Sequence, residues 1–217
     1  MMEEAMDTLD RILDSKIIAI SRGNYGEDLL FASKSLYNAG IRVFEVTFEQ
    51  DKLPDKTCES IVLLRTALPG DAAIGAGTVM NREQVMLAHE AGASFIISPN
   101  TNGDVISLTK DLSIVSIPGA MTPTEIAYAH SCGADIVKVF PAGILGVEYF
   151  KAVHAPLKHI PLAAVAGVTK ANIRDFREAG AVAFGISSSL FIKKAIEERD
   201  EELLYQNAKG FISALYD

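Results

Sequence analysis

The chain has 217 residues, 49% of them apolar and 22% charged, a balance that suits a soluble globular protein and excludes a disordered one. Against 28 acidic residues stand only 20 basic ones, a net charge of -8, so no basic stripe is available for a phosphate backbone and nucleic acid is not an expected partner. No apolar run approaches the roughly 20 residues that span a bilayer, and the acidic opening MMEEAMDTLD is unlike a secretory or transit signal, so a cytoplasmic location is expected.

A helix is expected at the N-terminus, ahead of the first strand. Eight strands are then predicted from β-branched runs, at 16–21, 42–47, 72–77, 94–98, 113–117, 135–140, 161–166 and 181–186. Each is followed by a stretch able to form a helix. No linker-like tract interrupts the alternation, so residues 1–217 read as a single domain. Continuous βα alternation calls for a parallel sheet covered by helices, and a closed (β/α)8 TIM barrel fits best. Strands two, four, six and eight are each preceded by a helix-ending glycine, at Gly40, Gly92, Gly133 and Gly180. Their spacings of 52, 41 and 47 residues each match about two βα units. The rival fold, a doubly wound open sheet, would open with a Gly-rich phosphate turn, but Ser21-Arg22-Gly23-Asn24-Tyr25 holds one glycine.

A parallel barrel carries its chemistry where strands end and βα loops begin. The polar residues there are Arg22, Glu45, Thr47, Thr78, Ser98 and Lys138, followed by the small-residue loops 166–169 and 187–189. Lys138 lies within Ile136-Val137-Lys138-Val139-Phe140, an otherwise apolar strand. Burial disfavours an ammonium and yields neutral amine able to attack a carbonyl, which is how a Schiff-base lysine is made. A lysine snorkelling from the strand end or pairing with a core carboxylate is the alternative. Glu45 stands five residues after Gly40, as Lys138 stands five after Gly133, so both are predicted to face the barrel interior. A carboxylate there can move protons, or it can form a structural ion pair with the lysine. Gly75-Ala76-Gly77-Thr78 offers backbone N–H groups and a hydroxyl suited to a carboxylate. The histidines, His89, His130, His154 and His159, are placed on helices or helix ends without metal-site spacing. Cys58 and Cys132 read as reduced packing residues.

Seven segments, in order, resemble the 2-keto-3-deoxy-6-phosphogluconate aldolases and their 4-hydroxy-2-oxoglutarate and 6-phosphogalactonate relatives. They are IAISRG (18–23), FEVTF (44–48), GAGTV (75–79), ISPN (97–100), IPGAMTPTE (117–125), KVFPA (138–142) and AGVTKAN (166–172). The resemblance spans nearly the whole chain. It implies a homotrimeric barrel and a class I aldolase that cleaves a 2-keto-4-hydroxy acid to pyruvate and an aldehyde. Lys138 would form the Schiff base and Glu45 would transfer protons, with no metal and no cofactor. Thr78 would contact the pyruvyl carboxylate, while Pro99, Pro118 and Phe140 would shape the pocket. Loops carrying Ala166, Gly167, Ser187 and Ser188 would bind a distal phosphate.

Three departures bear on substrate. Glu49 stands where many members have a carboxylate-binding arginine, and Arg22 is the expected substitute. Ala166-Gly167 replaces a Gly-Gly pair, and Ser187-Ser188 replaces Gly-Ser. Two alternatives stay open at this point: a non-catalytic sugar-acid or phosphate-binding barrel, and another phosphate-binding small-barrel enzyme.

Overall fold

The computed structural model describes residues 2–216. In chain order the elements are α1 (Met2–Ser15), β1 (Ile17–Ser21), α2 (Gly26–Asn38), β2 (Val43–Thr47), α3 (Asp55–Ala67), β3 (Ala73–Gly77) and α4 (Arg82–Glu90). They continue with β4 (Phe95–Ile97), α5 (Gly103–Asp111), β5 (Val115–Ile117), β6 (Gly119–Ala120), α6 (Pro123–Ser131) and β7 (Val137–Val139). The last are α7 (Ala142–Leu145), α8 (Val147–His154), β8 (Leu162–Val165), α9 (Ile173–Glu178), β9 (Ala181–Ile186), α10 (Lys193–Glu197) and α11 (Glu201–Tyr216).

All strand pairs are parallel, in the order β5-β4-β3-β2-β1-β9-β8-β7-β6. The two ends of this order, β5 and β6, are separated in the chain by Pro118 alone, so they are halves of one barrel strand and the sheet closes on itself. Eight predicted strands therefore become nine. The fifth, expected at 113–117, is split because Pro118 has no N–H for the ladder. Its carbonyl still accepts the Lys138 N–H at 2.9 Å, which carries the pairing across the break.

Local sequence explains the helix boundaries. Asn81, Asn102 and Thr122 cap α4, α5 and α6 through their side chains, and Thr122 completes a reciprocal capping box with Glu125. The four turn glycines singled out above all have φ between 88° and 111°, the left-handed geometry that ends a helix and redirects the chain into the next strand.

Strand alternation divides the core into two layers. Outward residues such as Phe44, Phe184 and Ile186 pack under the helices with Phe48, Phe150 and Phe176. Inward residues Ile18, Ile20, Val43, Phe95, Ile97, Val115, Ile117 and Ile136 fill the barrel, each worth roughly 1.5–3 kcal/mol when fully buried. The expected N-terminal helix is present as α1. It closes the barrel from the N-terminal end of the strands, where Leu9, Ile12 and Leu13 join the interior cluster. No helix among the described residues is long and apolar enough to cross a membrane.

Candidate active site

The barrel interior changes character along its axis. Below it is filled with branched aliphatics and Phe95; above, towards the C-terminal ends of the strands, inward positions are held by Gly75, Gly77, Gly119 and Gly185. Glu45 and Lys138 stand in this emptied upper layer. Glu45 is paired in register with Ile20 on one side and Gly75 on the other, and Lys138 with Gly119 and Ala163. The predicted equivalence of their positions is what the register displays: both are inward residues at the middle of their strands.

Both are buried, Glu45 to 2% exposure and Lys138 to 6%. Burial pushes the Lys138 ammonium well below the usual lysine range; the Arg22 guanidinium acts in the same direction and the Glu45 carboxylate opposes it. Burial also raises Glu45, against the pull of Lys138 and Arg22. The two do not satisfy one another as a closed ion pair would require: Glu45 Oε2 has no hydrogen-bond partner among the described residues, and Lys138 Nζ stands over the Phe140 ring at 4.7 Å from its centroid. A neutral-capable amine and an elevated carboxyl, both dry and incompletely partnered, can carry out nucleophilic attack and proton transfer.

The second glycine of GAGT makes room for a side chain of the neighbouring strand. A Cβ built on Gly77 would lie 1.6 Å from Glu45 Oε1, so the carboxylate occupies the volume that any side chain at 77 would take. Likewise Gly75 makes way for the Phe95 ring, and Gly119 for the Pro99 carbonyl. Pro99 thus packs against Gly119 in the upper half of the broken strand, and Pro118 stands beside the Lys138 strand, bonded to the Lys138 N–H.

At the mouth, Arg22 and Thr78 are brought together: Arg22 Nη2 donates to Thr78 Oγ1 at 3.4 Å. Thr78 adopts φ 56°, and its carbonyl accepts from Gln50 Nε2 at 2.8 Å. Thr47 and Ser98 are buried, and Thr47 Oγ1 donates to the Ser21 carbonyl, a tie between strands.

Across the mouth, Ala166 has φ 69° and Gly167 φ 78°. Two successive left-handed residues turn the chain sharply after β8, and Ala166 accepts the Gly143 N–H at 2.8 Å. Gly143 and Gly167 meet backbone to backbone, so a Cβ on either would strike the other. Sequence reasoning missed the brace of this loop, Asn172, whose side chain accepts from the Thr169 N–H and donates to the Gly167 carbonyl. Ser187 and Ser188 follow β9 in a loop, as expected. They lie in a turn, in which the Leu190 and Phe191 N–H groups bond to the Ser187 carbonyl, and α10 begins only at Lys193. The buried Leu190 and Phe191 anchor that turn to the core.

The remaining histidine and cysteine expectations are largely met. His89, His130 and His154 are helical, while His159 lies in the turn beyond α8 and meets His130 edge to face. Cys58 and Cys132 are free and half-buried.

Known proteins resemble this chain over almost its full length. The model of the KDPG and KHG aldolase family matches residues 9–206. A probable 2-dehydro-3-deoxy-6-phosphogalactonate aldolase of Rhizobium meliloti is 34% identical over 188 residues, covering 84% of this chain and 87% of that protein. The 2-dehydro-3-deoxy-6-phosphogalactonate aldolase of Escherichia coli is 32% identical over 199 residues, 91% of this chain and 93% of that one. Among solved structures, a native KDPGal structure superposes with a TM-score of 0.82 at 31% identity, covering 91% of this chain and 93% of the other. With its closed parallel barrel and the matched span of 9–206, the chain belongs to the KDPG and KHG aldolase family, whose members are aldehyde-forming lyases.

Proposed function

We propose that the chain cleaves a 2-keto-4-hydroxy acid to pyruvate and an aldehyde through a Schiff base on Lys138. The observation that carries this reading is the pairing of two dry, inward groups in one barrel layer, an amine held below its usual range and a carboxyl held above. The neutral Lys138 amine attacks C2 of the keto acid to form a carbinolamine, and loss of water gives the imine. The C4 hydroxyl then gives up its proton to Glu45 as the C3–C4 bond breaks. Its electrons enter the imine to form an enamine, and the aldehyde departs. Glu45 returns a proton to C3, and water releases pyruvate from the lysine.

Arg22 and Thr78 hold the substrate carboxylate, the guanidinium by two parallel hydrogen bonds. Pro99, Pro118 and Phe140 shape the pocket around the reacting carbons. Ala166, Gly167, Ser187 and Ser188 receive a distal phosphate through backbone N–H and hydroxyl groups, so the substrate is a 6-phosphorylated sugar acid. The relatives named for a 6-phosphogalactonate substrate favour this choice over 4-hydroxy-2-oxoglutarate. The enzyme acts in the cytoplasm as a homotrimer, an assembly that light scattering tests.

Reduction with borohydride in the presence of pyruvate tests the chemistry. A peptide map is expected to place the label on Lys138 alone. No label at saturating pyruvate, or a label elsewhere, overturns the reading and favours a barrel that binds without forming an imine.

A further inference from the structure

The loops that follow β1 and β2 hold a carboxylate the reaction does not use. Glu49 sits where it could disable the mouth, since it feels the Arg22 charge and its Oε1 lies 3.9 Å from where a Cβ on Gly23 would be, next to Arg22 in the chain. Arg22 is exposed and takes no carboxylate partner among the described residues; the one hydrogen bond of its side chain, to Thr78, is long. An arginine and a glutamate this close in adjoining loops would ordinarily pair, and the pair would compete with a substrate carboxylate for the same guanidinium.

Glu49 is instead held by two other groups. The Tyr25 hydroxyl donates to Oε1, and the Lys52 ammonium pairs with Oε2. These bonds hold the Glu49 carboxyl below its usual range, so it is an anion that needs a partner. Burial and the Glu49 carboxylate push the Tyr25 phenol up to about 12, so it stays a donor at any physiological pH. The Tyr25 ring is steadied from α3 by Lys56, whose Nζ lies 5.3 Å from the ring centroid. Gly23 and Gly26, at φ 74° and 53°, bend the loop so that Arg22 and Tyr25 approach Glu49 from the same segment.

We propose that Tyr25 is a positioning residue that sequesters Glu49 and thereby keeps Arg22 free for the carboxylate of an anionic substrate. The consequence for the substrate rests on the aldolase reading; the sequestration itself does not. Lys52 supplies the countercharge, but it is the more exposed partner, so the hydroxyl bond from the half-buried Tyr25 fixes the direction in which Glu49 points.

Three variants test this: Tyr25→Phe, Glu49→Gln and the double variant. Phenylalanine keeps the ring and its place beside Lys56 and removes only the donor. One readout is the rate at which phenylglyoxal modifies Arg22, followed by peptide mass; the other is the pyruvate concentration giving half-maximal imine trapping. In Tyr25→Phe the Arg22 rate is expected to fall and the half-maximal concentration to rise, each by about tenfold, equivalent to roughly 1.4 kcal/mol, with the limiting trapping rate unchanged. Glu49→Gln in the same background is expected to restore both. Unchanged Arg22 reactivity in Tyr25→Phe overturns the proposal. So does a loss that Glu49→Gln fails to rescue, because that marks Tyr25 as loop packing only. If the wild-type protein traps no pyruvate, the aldolase reading falls while the Arg22 measurement still decides whether Tyr25 restrains Glu49.

Discussion

Gly77→Ala is the smallest change that should disable Glu45 without touching it. The added Cβ would stand 1.6 Å from Oε1 and 2.4 Å from the carboxyl carbon, so the carboxylate must retreat by about 1.8 Å to reach ordinary contact at 3.4 Å. Gly77 is not among the positive-φ residues, so the methyl adds no backbone strain and its effect falls on the side chain. Misplacing a catalytic group by about 1 Å can cost on the order of 100-fold, so the variant is expected to lose at least about 100-fold, roughly 2.7 kcal/mol, in proton transfer. The assay is exchange of the pyruvate methyl protons with deuterated solvent, alongside borohydride trapping. Exchange should collapse while trapping at Lys138 persists, since the lysine lies on another strand. Gly75→Ala is the control: the same methyl two residues below would lie 2.4 Å from the Phe95 ring and should cost about 1–3 kcal/mol in unfolding free energy through overpacking. If Gly77→Ala exchanges protons at close to the wild-type rate while remaining folded, Glu45 is not the group that moves them.

Removing the two charges nearest Lys138 should shift the pH dependence of imine formation in opposite directions. The amine must be neutral to attack, so the rate rises with pH through the Lys138 pKa; Arg22 lowers that pKa and Glu45 raises it. Arg22→Met should therefore move the acidic limb to higher pH and Glu45→Gln to lower pH, measured by cyanoborohydride trapping at saturating pyruvate, and shifts of the same sign would refute the electrostatic account. At the distal loop, a 6-phosphorylated substrate should exceed 4-hydroxy-2-oxoglutarate in kcat/KM by at least about tenfold, or roughly 1.4 kcal/mol. Equal values would mean that Ala166 and the serines have dismantled the phosphate site. Ala166→Gly should leave unfolding free energy within about 1 kcal/mol, since relief of left-handed strain of order 1–2 kcal/mol is offset by glycine's extra chain entropy of about 0.5–1 kcal/mol; calorimetry checks the sum.

Lys138 and Glu45 were legible in the sequence because a charge inside an apolar β-run violates the burial pattern, and because strand alternation fixes which face it takes. The barrel was legible for a related reason: βα alternation and repeated helix-ending glycines are local signals that need no tertiary contact. The bonds of Tyr25 to Glu49 and of Gln50 to Thr78 are not legible, since they run between loops 24 to 28 residues apart, the first across left-handed turns at Gly23 and Gly26. The room that Gly77 leaves for Glu45 is not legible, because what a glycine leaves room for is written in another strand. The length of the serine loop is not legible, because it is buried Leu190 and Phe191 that delay the helix to Lys193. Pro118 was seen, but the resumption of pairing beyond it at Gly119–Ala120 was not, since two small residues carry no β-signal.

The helix α1 gives the barrel a floor. With Leu9, Ile12 and Leu13 set among the inward aliphatics, it keeps solvent from rising through the strands towards the upper layer. Between this floor and Lys138 lies the packed layer of branched aliphatics and Phe95, so the amine is screened from the far end of the molecule twice over. A change in α1 would be felt first by the lower aliphatics that Leu9, Ile12 and Leu13 join, and only through them by Lys138. Distance along the barrel axis is thus itself a protection, because each packed layer beneath the lysine adds to the desolvation that lowers its pKa.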